Sequence, residues 1–381
     1  MNEDLGLRIL SDIMAWEDEQ AREEFRWLRL MARLKYDGYR DFQAGMRFVE
    51  SLITWLQQFE PSERAIAYGF LRNALVYIGP NEMQRLVDQC YPRVIWDRLV
   101  RTVAHERGIP TYRVLANPEA IAEVNKLRHQ TLFMGLSDGA RIDGLRHGNV
   151  GLLNNEQLVV STQLDKEKWQ DLLEKLRDRL KDPKARFRLV YLIDDFMGTG
   201  TSFLRFNEKK GKWSGKLLKF KESIESAVNA LDGAAIFADN WELCIHHYVG
   251  TAAAKSAIEG REAEARESMQ DEGWARAVHF SFGAVLPQQL PIDSVPAQYD
   301  EFIYLTKKYY DPKIRTEHTD VGGAKHLGLG YGGCALPLVL DHNTPNNSVA
   351  LLWAETDGGL RDDGVVGKAM RPLFRRRQRH T

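Results

Sequence analysis

The chain has 381 residues, 44% hydrophobic and 28% charged, enough for one large or two ordinary globular domains with a sizeable core. Lys and Arg number 52 against 53 Asp and Glu, so a formal net charge of −1 gives no global basic excess that would point to nucleic acid as the default partner. Cys90, Cys244 and Cys334 stand far apart with no CxxC or Cys/His metal spacing, so reduced, mostly buried thiols are expected, not a disulfide framework or a protein-held metal.

The opening MNEDLGLRIL is acidic and lacks the charged-then-apolar order of a signal peptide. No apolar run approaches the roughly 20 residues of a membrane helix, so a cytoplasmic protein without membrane contact is expected. Residues 1–125 read as a helical domain. Phe42, Met46, Val49, Leu52, Ile53, Leu56 and Phe59 recur at three- and four-residue steps, which makes an apolar helix face. Pro61-Ser62-Glu63 restarts the chain with a capping residue. Ile66, Phe70, Leu71, Leu75 and Ile78 form a second stripe, ended by Gly79-Pro80. Short helices follow to Tyr91 and over 94–106, and another starts behind Asn117-Pro118. A bundle core explains these stripes, and a cofactor slot within the bundle is the minor alternative. The helical domain is also the expected seat of a protein partner or a homo-oligomer.

From Thr131 the texture changes to short apolar runs ending in Gly/Asp/Ser turns. Strands are expected over 131–136, 187–193, 243–249 and 278–285, and a helix over 169–180. Runs 335–340 and 349–353 bracket a polar turn. Such alternation predicts an α/β domain over 126–360 with a mainly parallel sheet flanked by helices. The segment 207–219 is a basic insertion, read as a solvated loop or hairpin. The basic tail, 361–381 and above all 371–380, is either a solvated chain end or a contact for nucleic acid or an acidic partner. His246-His247 invites a metal or base reading. Neighbours on a strand point to opposite faces, so joint chelation is not expected.

The chemistry concentrates in 189–203, LVYLIDDFMGTGTSF. An apolar strand suits the middle of a sheet, and its carboxyl end is where ligands bind in open α/β sheets. Gly198 and Gly200 allow close approach of backbone to an anion. Amides of the turn and of a following helix can surround a phosphate. Thr199, Thr201 and Ser202 add hydroxyl donors. Asp194 and Asp195 would repel a phosphate, but they can accept hydrogen bonds from vicinal ribose hydroxyls. Acids on one side and a donor-rich turn on the other fit ribose 5-phosphate. A plain acidic strand end with a glycine turn is the bland alternative. The stretch is neither a Walker A loop nor a GxGxxG fingerprint.

This stretch resembles the phosphoribosyl-pyrophosphate (PRPP) loop of type I phosphoribosyltransferases: hydrophobic residues, two acids, then a turn with Thr-Gly-Thr. That family places a pyrophosphate-binding loop after an earlier strand, and here Ser137-Asp138-Gly139-Ala140-Arg141 follows 131–136. Arg141 could pair with a diphosphate, as could the amides of Gly139 and Ala140; a Gly turn before a surface Arg is the alternative. Arg146 is a weaker candidate. The family also has a hood over the acceptor. Asn343, Thr344, Asn346 and Asn347 could read an acceptor there, or simply make a turn. The glycine-dense 322–333 could be a lid or an irregular loop.

Taken together, GLSDGARIDGLRH, YLIDDFMGTGTSF and LPLVLDHNTPNNSVALLW look like the phosphoribosyltransferase-like proteins predicted in prokaryotic conflict, or antiviral defence, systems, over roughly 128–355. The resemblance implies a type I phosphoribosyltransferase-like α/β fold that binds PRPP or a phosphoribosyl nucleotide. Mg2+ would enter through the substrate diphosphate. Asp194 and Asp195 would hold the ribose, and Arg141 would offset charge on the leaving diphosphate. Transfer or cleavage of the ribosyl group is the first function expected. A non-catalytic nucleotide or PRPP sensor that controls a partner effector is the alternative, and a vestigial pocket in a structural subunit is a third.

Overall fold

Val190, Tyr191, Leu192 and Ile193 are buried on both sides of their strand, as the unbroken apolar run requires. In the computed structural model, which describes residues 2–231, 235–269, 275–295, 297–324, 326–360 and 366–376, five strands form one sheet. They are β1 (Thr131–Gly135), β2 (Leu158–Val159), β3 (Phe187–Met197), β4 (Phe237–Thr251) and β5 (Ala277–Leu286). Their order is β2-β1-β3-β4-β5, and every pairing is parallel. The helices that belong with them are α1 (Trp96–Arg107), α2 (Pro118–His129), α3 (Lys166–Leu180), α4 (Lys216–Ala230) and α5 (Ala252–Met269). The expected α/β class with a parallel sheet flanked by helices is therefore observed.

Local signals account for the helix starts. The Asn117 side chain accepts from the amides of Glu119 and Ala120, and Pro118 occupies the first turn of α2. Asp165 caps α3 through the Lys168 amide at 2.7 Å. One sheet face, with Met134, Val190, Leu192 and Ile245, packs with Trp169 and Leu172 of α3, Phe220 of α4 and Ile258 of α5. Truncating a fully buried side chain such as Leu192 to Ala would cost about 2–5 kcal/mol. On the other face Phe133 and Tyr191 stack with centroids 5.5 Å apart. At the amino ends of β4 and β5, Arg98 of α1 bonds to Glu242 and His279.

The chain divides into two compact units, Gln84–Leu286, and Met1–Met83 with Pro287–Thr381. This differs from the division at residue 125 that texture gave. Helices over 84–125 belong with the sheet because their apolar faces are buried there, whereas 287–360 belongs with the N-terminal helices. Val76–Ile78, the tail of the second expected stripe, is not helical. It pairs in parallel with Leu338–Leu340. The core of the unit made by Met1–Met83 and Pro287–Thr381 gathers Phe48, Trp55, Val339, Leu351 and Phe374, and Phe70 stacks on Phe302 at 3.8 Å.

Other expectations change inside this unit. The second of the two apolar runs, 349–353, forms a helical turn over 350–353. Within the glycine-dense stretch Gly330 is packed tightly, a Cβ there lying 2.5 Å from the Ser348 carbonyl, whereas Gly323 and Gly333 are exposed with open space around them. Lys325 lies outside the described residues. So do 361–365 and 377–381 of the basic tail, whereas Leu373 and Phe374 are core residues. Among the described residues no helix is long and apolar enough to cross a membrane.

Candidate functional site

β3 is the central strand, and its carboxyl end carries both acids. Successive strand residues alternate faces, so Asp194 and Asp195 part company. The expected picture of two acids side by side is corrected by this alternation. Asp194 follows Val190 and Leu192 onto the face of α4 and is 3% exposed. Its Oδ2 lies 2.5 Å from Lys216 Nζ. Its Oδ1 accepts from Ser137 Oγ and, at 3.1 Å, from the Asp195 amide. Burial pushes this carboxyl above the ordinary range; Lys216 works against burial and Asp195 adds to it. Asp195 leans under the preceding turn. A Cβ on Gly139 would fall 2.3 Å from Asp195 Oδ2, so glycine alone fits there.

The turn 198–202 is held by its carbonyls. Gly198 accepts from Thr251 Oγ1 at 2.6 Å, Thr199 from Arg261 Nη1 at 2.7 Å, and Gly200 from the amides of Phe203 and Leu204. Thr201 accepts from Arg205 Nη1 at 3.0 Å and Ser202 from the Lys216 amide at 3.1 Å. All five carbonyls are thus bonded to the scaffold. The amides of Thr199, Gly200 and Ser202 make no hydrogen bond among the described residues. Gly200 takes φ 73°, whereas Gly198 stays out of that region. Thr199 and Thr201 are half-buried, Ser202 is exposed, and the two threonine hydroxyls are 2.8 Å apart. Open amides at a bend form an anion-binding concavity.

The sequence pattern placed a helix directly after this turn. The chain instead makes a hairpin first, Arg205–Asn207 against Lys212–Ser214, so the hairpin reading of the basic insertion 207–219 holds up to Ser214, while 216–219 already belong to α4. Gly215 then brings the helix start back. Its φ is 136°, and a Cβ would lie 2.2 Å from the Phe203 carbonyl. The first residue of α4, Lys216, lands beside Ser202 and Asp194. Lys216 escaped the sequence reading. Its available signal was a cation in a first helical turn that holds no acid, against the helix dipole.

The turn after β1 supplies Ser137 but not two free amides. The Gly139 amide donates to Ser137 Oγ at 3.2 Å and the Ala140 amide to the Ser137 carbonyl at 3.0 Å. They close the turn, so the expectation that they would take a diphosphate is corrected. Asp138 is exposed and Arg141 stands half-buried at φ 48°. Arg146 pairs with Asp143 at 3.2 Å. The Asn-rich segment belongs to the other unit. Asn343 exchanges backbone bonds with Leu340, and the Asn346 carbonyl accepts from the Tyr331 amide at 2.6 Å. Thr344 meets Tyr39 at 3.0 Å, and Asn347 donates to the Tyr331 carbonyl. These are turn and packing roles.

His246 and His247 face opposite ways, as strand geometry requires. His246 Nδ1 is 3.0 Å from Ser281 Oγ, and His247 stacks on Phe282. Burial drives them down to about 4 and about 3, so both are neutral. Among the described residues no group of three or more His, Cys, Asp or Glu side chains could hold a metal ion. Asp194 and Asp195 face opposite ways and do not form a joint cation site, so any Mg2+ would have to enter on a substrate diphosphate and keep its waters. A cavity of about 670 Å³, lined by His129, Asn154, Lys175 and Arg179 among others, opens at the amino ends of β1 and β3. Ligands in such sheets bind at the carboxyl ends, so geometry and not volume picks the turn.

No curated protein and no solved structure matches the chain. A family model described as PRTase-CE matches residues 52–376, which covers the acids, both turns and the Asn-rich segment. The chain therefore belongs to the PRTase-CE family and is a phosphoribosyltransferase-like protein.

Proposed function

We propose that the protein binds PRPP or a related phosphoribosyl nucleotide and transfers or cleaves its ribosyl group. One observation carries the reading. At the carboxyl end of the central strand, a turn with every carbonyl anchored presents open amides next to two acids. The amides of Thr199, Gly200 and Ser202, with the hydroxyls of 199, 201 and 202, take the 5-phosphate. Asp194 and Asp195 accept from the ribose hydroxyls. Arg141 offsets charge on the departing diphosphate, which would bring Mg2+ with it. The resemblance to conflict-system proteins makes antiviral defence the proposed setting.

Calorimetry with PRPP and Mg2+ tests the binding, and Asp194→Asn with Asp195→Asn should abolish it. Pyrophosphate release with an acceptor tests transfer. A sensor that controls a partner effector is the second reading. It is favoured by Asp194 being already paired and by the use of the Gly139 and Ala140 amides within their own turn. Binding without pyrophosphate release, together with loss of phage protection in the double variant, would decide for it.

A further inference from the structure

Asp194 is buried, and a lone buried carboxyl takes up a proton instead of keeping its charge. A neutral acid group is a poorer acceptor for two sugar hydroxyls than a carboxylate. Besides the hydrogen bonds from Ser137 Oγ and the Asp195 amide, what the structure sets against this is one cation, placed with some effort. The hairpin 205–214 interrupts the turn-to-helix connection, Gly215 folds the chain back onto Phe203, and the Lys216 amide clips to Ser202. This brings Lys216 Nζ to Asp194 Oδ2. A cation at the start of α4 opposes the helix dipole, so local helix energetics do not account for it.

We propose that Lys216 is a positioning residue whose ammonium keeps Asp194 a carboxylate in the ligand-free site, ready to accept sugar hydroxyls. The use made of Asp194 rests on the phosphoribosyl reading above; the ion pair does not. The other groups around Asp194 do not substitute for Lys216. On its own strand, Asp195 opposes a second negative charge. On the turn after β1, Ser137 donates as a neutral hydroxyl and Asp138 is a further acid, while Arg141 is not among the leading charges acting on Asp194. On β4, the register partner His247 is neutral through burial, and burial lifts the Tyr248 phenol far above its ordinary range. Lys216 is the cation hydrogen-bonded to the Asp194 carboxylate.

The test compares the full chain with Lys216→Met and Lys216→Arg. In the ligand-free protein, infrared spectroscopy should show a protonated-carboxyl stretch in Lys216→Met. It should vanish in Lys216→Met/Asp194→Asn and be missing in Lys216→Arg. PRPP–Mg2+ titrations from about pH 6 to about pH 8.5 should then show Lys216→Met losing about tenfold in affinity per pH unit on the acid side. The unaltered protein, which shares any titration of the ligand itself, should not show this loss, and Lys216→Arg should restore its behaviour. No protonated-carboxyl band in Lys216→Met, or an equal loss of affinity at every pH, would overturn the proposal. If the unaltered protein fails to bind PRPP, the phosphoribosyl reading fails, and the infrared comparison still decides the role of Lys216.

Discussion

Thr251, the last residue of β4, donates its hydroxyl to the carbonyl of Gly198 at 2.6 Å and accepts the amide of Ala254 at 3.0 Å. One side chain thus starts α5 and fixes the first carbonyl of the turn 198–202. Thr251→Val keeps the shape and removes both bonds. It should cost about 1–2 kcal/mol in urea denaturation and weaken PRPP binding. Thr251→Ser should recover most of both. An unchanged midpoint and affinity in the valine variant would mean that the turn is held without this hydroxyl.

Gly215 tests the fold-back that delivers Lys216. Its φ of 136° is closed to residues with a Cβ, and the Phe203 carbonyl leaves no space for one. Gly215→Ala should lower stability by at least about 1–3 kcal/mol, read from the denaturant midpoint. The hairpin should survive, because its ladder lies before the glycine. Equal midpoints for the two proteins would contradict the close approach.

Gly139→Ala probes the contact between the two turns. The added methyl must displace the Asp195 carboxylate, since the space is filled to 2.3 Å. Stability should fall modestly, because Asp195 is half-exposed and can move. PRPP affinity should fall more, by tenfold or greater, because Asp195 loses its place. Calorimetry beside a thermal melt separates the two effects, and full affinity in the variant would remove Asp195 from the site.

His247 predicts a pH dependence. Burial, with Lys216 and His246 adding to it, brings its folded-state value down to about 3 from the ordinary 6.5. The unfolded chain therefore binds the proton more readily. The stability tied to neutral His247 is present above about pH 6.5 and is lost as pH falls towards about 3. His247→Phe would stack on Phe282 and cannot titrate. Its stability should decline less than that of the unaltered protein between those limits, measured by urea midpoints at several pH values. Parallel declines would show that His247 does not contribute.

Much of the sheet unit was legible because its signals are local. An apolar run such as 187–193 fits a strand with both faces covered, and Asn117-Pro118 marks a helix start by its own capping chemistry, whereas the Asp165 cap put the start of α3 three residues before the expected 169. The motif from Asp194 to Ser202 was legible for the same reason: acids, glycines and hydroxyls announce themselves by type. Val76–Ile78 was not, because its partner Leu338–Leu340 lies more than 250 residues away and a three-residue strand leaves no period to detect. The turn 137–141 was only half legible, since nothing in its composition says that its amides bond to Ser137.

By itself the sequence determined the class of the sheet unit, the strand that ends in Asp194-Asp195, and the donor-rich turn after it, because backbone preference and burial act over a few residues. Tertiary structure alone decided that the two acids face opposite sides, that a late segment joins the N-terminal helices, and that Lys216 crosses a hairpin to reach Asp194. Those outcomes depend on which distant surfaces are buried together, and burial of that kind leaves no mark on neighbouring positions in the chain.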